Sequence, residues 1–567
     1  MSEFSGYTRR SKYVEGYGSV KLAVDLYFPT RADGSEAGAL PAVLLAGRFH
    51  RRQAFEMYRD VIETLLRNGY AYLVLETRGF GASFGYSQGF CEPTDGEDVK
   101  AVIEWAAEQR WCDGHVGMMG LSNMGLIQEA AAARRPPHLR AITPVVCNSD
   151  FYYQNYPNGV SALPVTRSFV PPPEAMGAPV DEDPAPNFPL AAAAMKDHER
   201  NRSFAGYQFT ENMFRDTVNP RFGFAPNLVI PPCEYTEEIK ASGVAVYQIA
   251  GWFDPGCGGQ LITQADWGGH ILVGPWDHGS SKDGETAFPN GKVDMAREHL
   301  RWFDYALKGI DNGFAAEPAV RYYTLNAPAG KEWRQSSAWP PENAERIAWF
   351  FGPGPSGTVR SANDGCLTAE PIDSPHVDRY KTDFEIEVFD PRRGRMNRYL
   401  PEDLTAKLDE KGLTYTSAPL ERDLEVTGHP VMELWVTSTA EDGNFLAYLE
   451  EVRADGTSRL VTEGFMRASH RKESANGVWD RMGLPYHRSL ERDYAPLSDR
   501  EPAKLAFILE AVSYVYTRGS RIRVTVTNAE KGVQQPEGIR ADDPPVVRIH
   551  CGGDTPSSVT LPVVGNG

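Results

Sequence analysis

The stretch Val116-Gly117-Met118-Met119-Gly120-Leu121-Ser122-Asn123-Met124-Gly125 constrains this chain more than any other. An apolar run ends in Gly-x-Ser and turns at once into a helical pattern, the way a parallel sheet presents a nucleophilic serine at its edge. The turn is tight, and Gly120 spares it the clash of a side chain. The helix that follows aims its first N–H groups at the serine, where developing negative charge needs them. Alone the pattern is weakly specific. The second glycine stands one place late, as G-x-S-x-x-G, and a serine capping a helix after any strand would look similar.

The rest of the chain shifts that balance. Val244-Ala245-Val246-Tyr247-Gln248-Ile249-Ala250 reads as a buried strand running into Gly251-Trp252-Phe253-Asp254-Pro255-Gly256. His270-Ile271-Leu272-Val273 reads as the next strand, running into Gly274-Pro275-Trp276-Asp277-His278-Gly279. Each titratable residue lies in a Gly/Pro loop just past the C-terminal end of a strand, where open α/β sheets place their chemistry. Ser, Asp, His is the chain order of the α/β-hydrolase fold, distinct from the orders of the other serine hydrolase folds. A lone Asp or His in such a loop would carry little weight. Three together, in order and in matching positions, predict a triad of Ser122, Asp254 and His278.

These loops also carry a family resemblance. The chain resembles the cocaine esterase / glutaryl-acylase / X-Pro dipeptidyl-peptidase (CocE/NonD-type) group of serine hydrolases, which shows a G-x-S-Y-x-G elbow, a G-W-[FY]-D acid loop and a G-P-W-x-H histidine loop. Ser122, Asp254 and His278 fall on those three positions. Glu76-Thr77-Arg78-Gly79-Phe80-Gly81-Ala82-Ser83 resembles the group's D-T-R-G-x-x-x-S turn, and Glu104-Trp105 through Trp111-Cys112-Asp113-Gly114 its helix leading into the elbow strand. Arg301-Trp302-Phe303-Asp304-Tyr305 through Gly313 is similar to its last catalytic-domain helix, and Gly428-His429-Pro430 with Leu434-Trp435-Val436 to the start of its C-terminal β domain. The match runs over nearly the whole chain.

Composition agrees. At 567 residues the chain is too long for one core, and two or three domains are expected. It is 41% hydrophobic, hence globular, and its net charge of −18 argues against nucleic acid and anionic membranes as partners. The N-terminus lacks the apolar core of a signal peptide, no run approaches a membrane span, and seven cysteines without a C-x-x-C pair suit a reducing cytoplasm. No zinc spacing is present, and neither metal nor cofactor is expected. Arg48 with Arg51-Arg52 could face an anionic ligand group but is read first as a solvated surface turn, and Cys257 could line the pocket but is read first as a small buried filler.

Strands alternate with amphipathic helices from about residue 10 to 146. Val43–Ala46, Ala71–Leu75 and Leu139–Val146 read as strands, and Val99, Val102, Ile103 and Ala106 as one helix face. Residues 147–240 break the rhythm with Pro171-Pro172-Pro173, Pro231-Pro232 and many aromatics, and read as a largely helical cap. Past Val244 the sheet resumes, with a helix from Val293 to Ile310 and Gly313 shortly beyond its end. From about residue 346 short β runs take over, among them Glu385–Phe389, Val431–Val436, Phe445–Leu449, Arg521–Val526 and Val546–Ile549. The expected architecture is an α/β-hydrolase domain (1–146 and 241–345), a cap (147–240) and an all-β sandwich (346–567), which the resemblance makes a jelly roll.

The expected chemistry is attack by Ser122 on the ester or amide carbonyl of a small-molecule substrate, with His278 as base and Asp254 orienting it. The Asn123 N–H is the first expected oxyanion donor. Where the group has a donor tyrosine in its first-strand loop, this chain reads Ala46-Gly47-Arg48-Phe49-His50, so His50 or the Phe49 N–H is the candidate replacement. Asn123 also replaces the group's usual tyrosine. Tyr152 and Tyr153 from the cap, with Trp252, Phe253 and Trp276 beside the acid and histidine, are the expected substrate-lining aromatics. The amino-acid ester hydrolases of the group carry acidic residues just after the catalytic Asp. Here Pro255-Gly256-Cys257-Gly258-Gly259 has none, which disfavours that branch. The X-Pro peptidase branch is disfavoured by the lack of its long N-terminal extension. An acyltransferase using the same triad, a binding protein descended from a hydrolase, and assembly as a homodimer all stay open.

Overall fold

The structure is a computed structural model that describes residues 3–35, 37–89, 92–161, 177–201, 213–220, 222–387, 402–475, 479, 482–531 and 533–565. Ten strands form the first sheet: β1 (Gly6–Glu15), β2 (Lys21–Thr30), β3 (Leu40–Gly47), β4 (Ala71–Glu76), β5 (Cys112–Leu121), β6 (Leu139–Val145), β7 (Ala245–Gly251), β8 (His270–Gly274), β9 (Val320–Tyr323) and β10 (Trp333–Ser336). Their order is β1-β2-β4-β3-β5-β6-β7-β8-β9-β10. The ladder from β4 to β9 is parallel, and the antiparallel pairings lie at the two edges.

The central strands are apolar throughout because both faces are covered. Helices α1 (Arg51–Met57) and α2 (Arg59–Arg67) follow β3, whose Ala42, Leu44 and Ala46 turn to one face, where they meet helices α3 (Pro93–Ala107) and α4 (Asn123–Ala133) through Val99, Val102, Ile103, Leu126 and Ile127. Val43 and Leu45 turn to the other, against Ile62, Leu65, Trp302 and Phe303. Those side chains belong to the helices at Arg59–Arg67 and Met295–Lys308. The second of these starts at the Asp294 cap, whose carboxylate accepts the Arg297 N–H at 3.0 Å, and stops at Gly309 in the left-handed region (φ 66°). Val293 and Ile310 thus lie outside it, and Gly309 rather than Gly313 ends it.

Between β6 and β7 the described residues carry short helices at Phe151–Asn155, Pro189–His198 and Thr236–Ser242. The part from 177 to 201 lies along the N-terminal edge of the sheet: the Ser11 N–H donates to Asp181 at 2.6 Å and the Gly85 N–H to Asp197 at 3.0 Å. The part from 213 to 220 turns the other way, and the Arg215 N–H donates to the Ser489 carbonyl at 2.9 Å. Pro171-Pro172-Pro173, Phe204, Tyr207 and Phe209 lie outside the described residues.

From Ala344 onward the described residues are all-β apart from one helix at Glu402–Lys411 and short turns. Thirteen strands pair into one branched sheet, in which Val431–Ser438 pairs with Ala503–Ile508 along one edge and with Val546–Cys551 and Ser558–Val564 along the other. One expected strand, Glu385–Phe389, does not form over its described residues Glu385–Glu387. Glu385 sits in a turn closed by its N–H to Asp383 at 2.8 Å, and Ile386 and Glu387 pair with no strand. The alternation there is real, since Ile386 is buried against Leu404, Leu408 and Tyr448, but an anchor in a loop gives the same local pattern. Val388 and Phe389 lie outside the described residues. No described helix is long and apolar enough to cross a membrane.

Candidate active site

Ser122 stands between β5 and α4 with φ 57° and ψ −122°, a conformation that side-chain-bearing residues rarely adopt. Its N–H donates to the Val145 carbonyl at 2.8 Å, and its own carbonyl accepts the Gly125 and Leu126 N–H groups at 2.9 and 3.0 Å. The spacing of the glycines follows from packing. A Cβ on Gly120 (φ 142°) would lie 2.6 Å from Met124 Cβ and 2.9 Å from Leu45 Cδ1, and one on Gly125 2.8 Å from Cys147 Sγ. Met124 fills the place between: a Cβ on Gly47 would come within 2.5 Å of its Cγ. The late glycine therefore answers the approach of the Cys147 loop.

The acid and histidine loops are joined through their backbones. Trp252 N–H donates to the Gly274 carbonyl and Phe253 N–H to the Trp276 carbonyl, both at 3.0 Å. A Cβ on Gly251 would lie 2.4 Å from the Trp276 carbonyl oxygen, and one on Gly274 within 2.4 Å of the Trp276 ring, so both loops need glycine there. The result brings Asp254 Oδ2 to 2.5 Å from His278 Nδ1. Asp254 is buried, and its Oδ1 accepts the Gly256 N–H at 2.7 Å, which leaves its carboxylate fixed at both oxygens. The His278 side chain keeps 17% of its surface exposed, enough for its far edge to meet a substrate. Ser122, Asp254 and His278 follow β5, β7 and β8, all at the C-terminal edge of the parallel ladder.

The loop after β3 is clamped by charge. Arg51, expected at a solvated turn, is wholly buried: Nε donates to Asp25 at 2.7 Å, Nη1 pairs with Glu76, and Nη2 donates to the Ala178 carbonyl at 2.5 Å. Asp25 and Glu76 are buried too, so the cation is required to balance them. Glu76 also accepts the Arg51 and Ala82 N–H groups at 3.1 and 2.8 Å, and its Oε1 lies 3.5 Å from His50 Nδ1. Arg48 Nη2 sits 3.4 Å from Asp95 and 3.7 Å from Glu92. Burial pushes the Asp95 carboxyl up to about 7, against the pull of Arg48. Sequence reasoning missed Asp25 and Arg51 because nothing in their local pattern separates a buried charge from a surface one. Phe49 is half-buried against the cluster that holds Leu121 and Met124, and Asn123 opens α4.

The expected aromatic lining is largely corrected. Trp276 is wholly buried in the core beneath its loop, near Trp333. Trp252 is buried, with its indole N–H donating to the Tyr323 carbonyl at 2.5 Å. Tyr152 is buried, stacked on Tyr156, with its hydroxyl on the Met213 carbonyl at 3.1 Å. These rings pack the structure, and of the three Trp252 also lines a small crevice with Phe253. Tyr153 lies on the wall of a cavity of about 630 Å³ with Arg215, Trp479 and Tyr486, whose lining includes none of Ser122, Asp254 and His278. Phe253 is half-buried, stacked on Phe288 beside Asp254, and keeps exposed surface near the acid. Among the described residues no group of three His, Cys, Asp or Glu side chains could hold a metal ion.

Comparison with known proteins adds to this geometry. The profile of the X-Pro dipeptidyl-peptidase (S15 family) matches residues 16–280, and that of the X-Pro dipeptidyl-peptidase C-terminal non-catalytic domain matches residues 312–560. A Mycobacterium bovis protein named as a serine esterase is 29% identical over 99% of this chain and 96% of its own length. The cocaine esterase of a Rhodococcus species is 28% identical over 96% of each chain. Among solved structures, an α-amino acid ester hydrolase superposes with a TM-score of 0.74 at 17% identity, over 99% of this chain and 97% of its own. A CocE/NonD family hydrolase from Staphylococcus aureus gives 0.71 at 18% identity, over 99% and 97%. At such identities the structural likeness speaks for the fold.

Proposed function

We propose that this chain, which belongs to the cocaine esterase / X-Pro dipeptidyl-peptidase family of serine hydrolases, cleaves the ester or amide bond of a small acyl substrate through an acyl-enzyme on Ser122. The observation that carries the reading is the contact of Asp254 Oδ2 with His278 Nδ1 at 2.5 Å, on the sheet edge where Ser122 holds its strained turn. With Nδ1 bound to the carboxylate, Nε2 is the nitrogen left to take the serine proton. Ser122 Oγ then adds to the substrate carbonyl, and the collapsing tetrahedral adduct expels the alcohol or amine, which takes that proton from His278. Water, deprotonated by the same imidazole, adds to the acyl-serine and returns free Ser122 and a carboxylic acid.

The Asn123 N–H, in the first turn of α4, is the first donor to the oxyanion. His50 is the second in this reading, with the Phe49 N–H as the alternative. Phe253 is the aromatic expected to touch substrate. Transfer of the acyl group to an alcohol or amine would differ only in the second acceptor, and product analysis with added nucleophile separates the two outcomes.

Ser122→Ala tests the assignment. Turnover of aryl esters and anilides should fall by about 10³-fold or more, with the melting temperature unchanged, because an exposed-edge hydroxyl contributes little to stability. Retained turnover would move the nucleophile elsewhere.

A further inference from the structure

The helix Cys257–Trp267 begins three residues after Asp254, and its cap is Gly256, which offers no side chain to the first turn. The opening amides of a helix have no partner within it and attract negative charge. A carboxylate from the C-terminal domain stands there. Glu510 lies between the strands Ala503–Ile508 and Val512–Tyr516, and its Oε2 would be 2.6 Å from a Cβ on Gly258. Glu510 is itself held in place, its N–H on the Glu463 carbonyl at 2.9 Å and its carbonyl accepting from Thr462 Oγ1 at 2.7 Å. The crevice that Glu510 shares with Glu463, Thr462, Trp252 and Phe253 measures about 40 Å³, which admits a few waters and no substrate. The carboxylate oxygen faces the first turn of this helix at Gly258.

That turn also carries the acid. The Asp254 carbonyl accepts the Cys257 N–H at 3.2 Å and its Oδ1 accepts the Gly256 N–H at 2.7 Å, so a shift of the first turn moves the carboxylate. Cys257 and Leu261 of the same helix are buried in one core with Leu434, Phe507 and Tyr514 of the β domain. We infer that Glu510 is a positioning residue for the catalytic acid: the β domain steadies the first turn of this helix and thereby holds Asp254 on His278. The inference rests on the triad reading above.

The test compares Glu510→Ala, Glu510→Gln and Gly258→Ala in the full-length chain by ester hydrolysis, fluorophosphonate inactivation rate and melting temperature. Glu510→Ala should lower kcat and the inactivation rate about 10- to 100-fold with KM within about twofold, since small misplacements cost that much. Glu510→Gln, which keeps an acceptor oxygen, should recover part of the loss. Gly258→Ala should lower kcat in the parent, where its methyl meets the carboxylate, and far less in the Glu510→Ala background. Unchanged kcat in Glu510→Ala, or equal losses in the alanine and glutamine variants that track melting temperature, would overturn the inference. Should Glu510→Ala fail to fold, the Glu510→Gln and Gly258→Ala arms decide by the same kcat-against-KM criterion. Failure of the triad itself would show separately, as full activity in Asp254→Asn.

Discussion

Two kinds of residue strain meet around Ser122. Its own backbone is held at φ 57°, ψ −122° by the Val145 carbonyl and the start of α4, a conformation that costs on the order of 1–3 kcal/mol and exposes the side chain at the sheet edge. Close by, Arg51, Asp25 and Glu76 are buried charges that hold the loop bearing Phe49 and His50. Removing one partner from such a buried set costs roughly 3–5 kcal/mol, so the charges tie the loop bearing Phe49 and His50 to the sheet. Which group donates can be asked directly. If His50 supplies the second hydrogen bond, His50→Ala should lower kcat on aryl esters by about 10²-fold with little change in KM, while Phe49→Tyr should change kcat less than threefold. A rise in kcat in Phe49→Tyr would show an unfilled donor position instead. A change in KM alone in both variants would reduce the two residues to pocket lining.

Among the elements, α4 is the one whose burial has a measurable consequence. All eleven of its residues are buried, including Glu129, whose carboxyl takes the Ser149 hydroxyl at 2.8 Å. Burial pushes Glu129 up to about 8, with the Ser149 and Cys147 hydrogen bonds pulling the other way. The folded chain thus keeps this proton where the unfolded chain, near its ordinary value of 4.5, has lost it. Stability from this group is full below about pH 4.5 and is lost as pH rises to about 8, by at most about 1.4 kcal/mol per pH unit. Glu129→Gln does not titrate, so its stability relative to the parent should improve steadily from pH 5 to 8 in urea unfolding. A stability difference independent of pH would mean that Glu129 is ionised in the fold. The sequence shows the helix but not this: a glutamate seven residues after the serine reads as a solvent-facing charge until the Cys147–Ser149 loop is seen to cover it. The same limit explains Glu385–Glu387, where alternation was legible and the lack of a partner strand was not. The strand and loop pattern of the site was legible, because Gly-x-Ser, G-W-F-D and G-P-W-D-H each mark a strand end by glycines the packing requires.

Across the whole molecule the two large domains share one core. Ala250, Trp252, Ile271 and Val273 from the first sheet pack with Met432, Leu434, Tyr514 and Leu561 from the second. Sequence periodicity separates the domains cleanly, since it changes near residue 345, but it does not name the residues that join them. Trp252 and Trp276 show the cost: as residues flanking Asp254 and His278 they invite a binding role, and the fold spends both on packing. The proposed chemistry stands or falls on Ser122, half-buried at the sheet edge. Treating the full-length chain with a fluorophosphonate and mapping the adduct by peptide mass spectrometry tests it most directly. The account predicts one adduct per chain, on the peptide containing Ser122, absent in Ser122→Ala and formed much more slowly in Asp254→Asn. An unlabelled chain, or an adduct on any other residue, would contradict it.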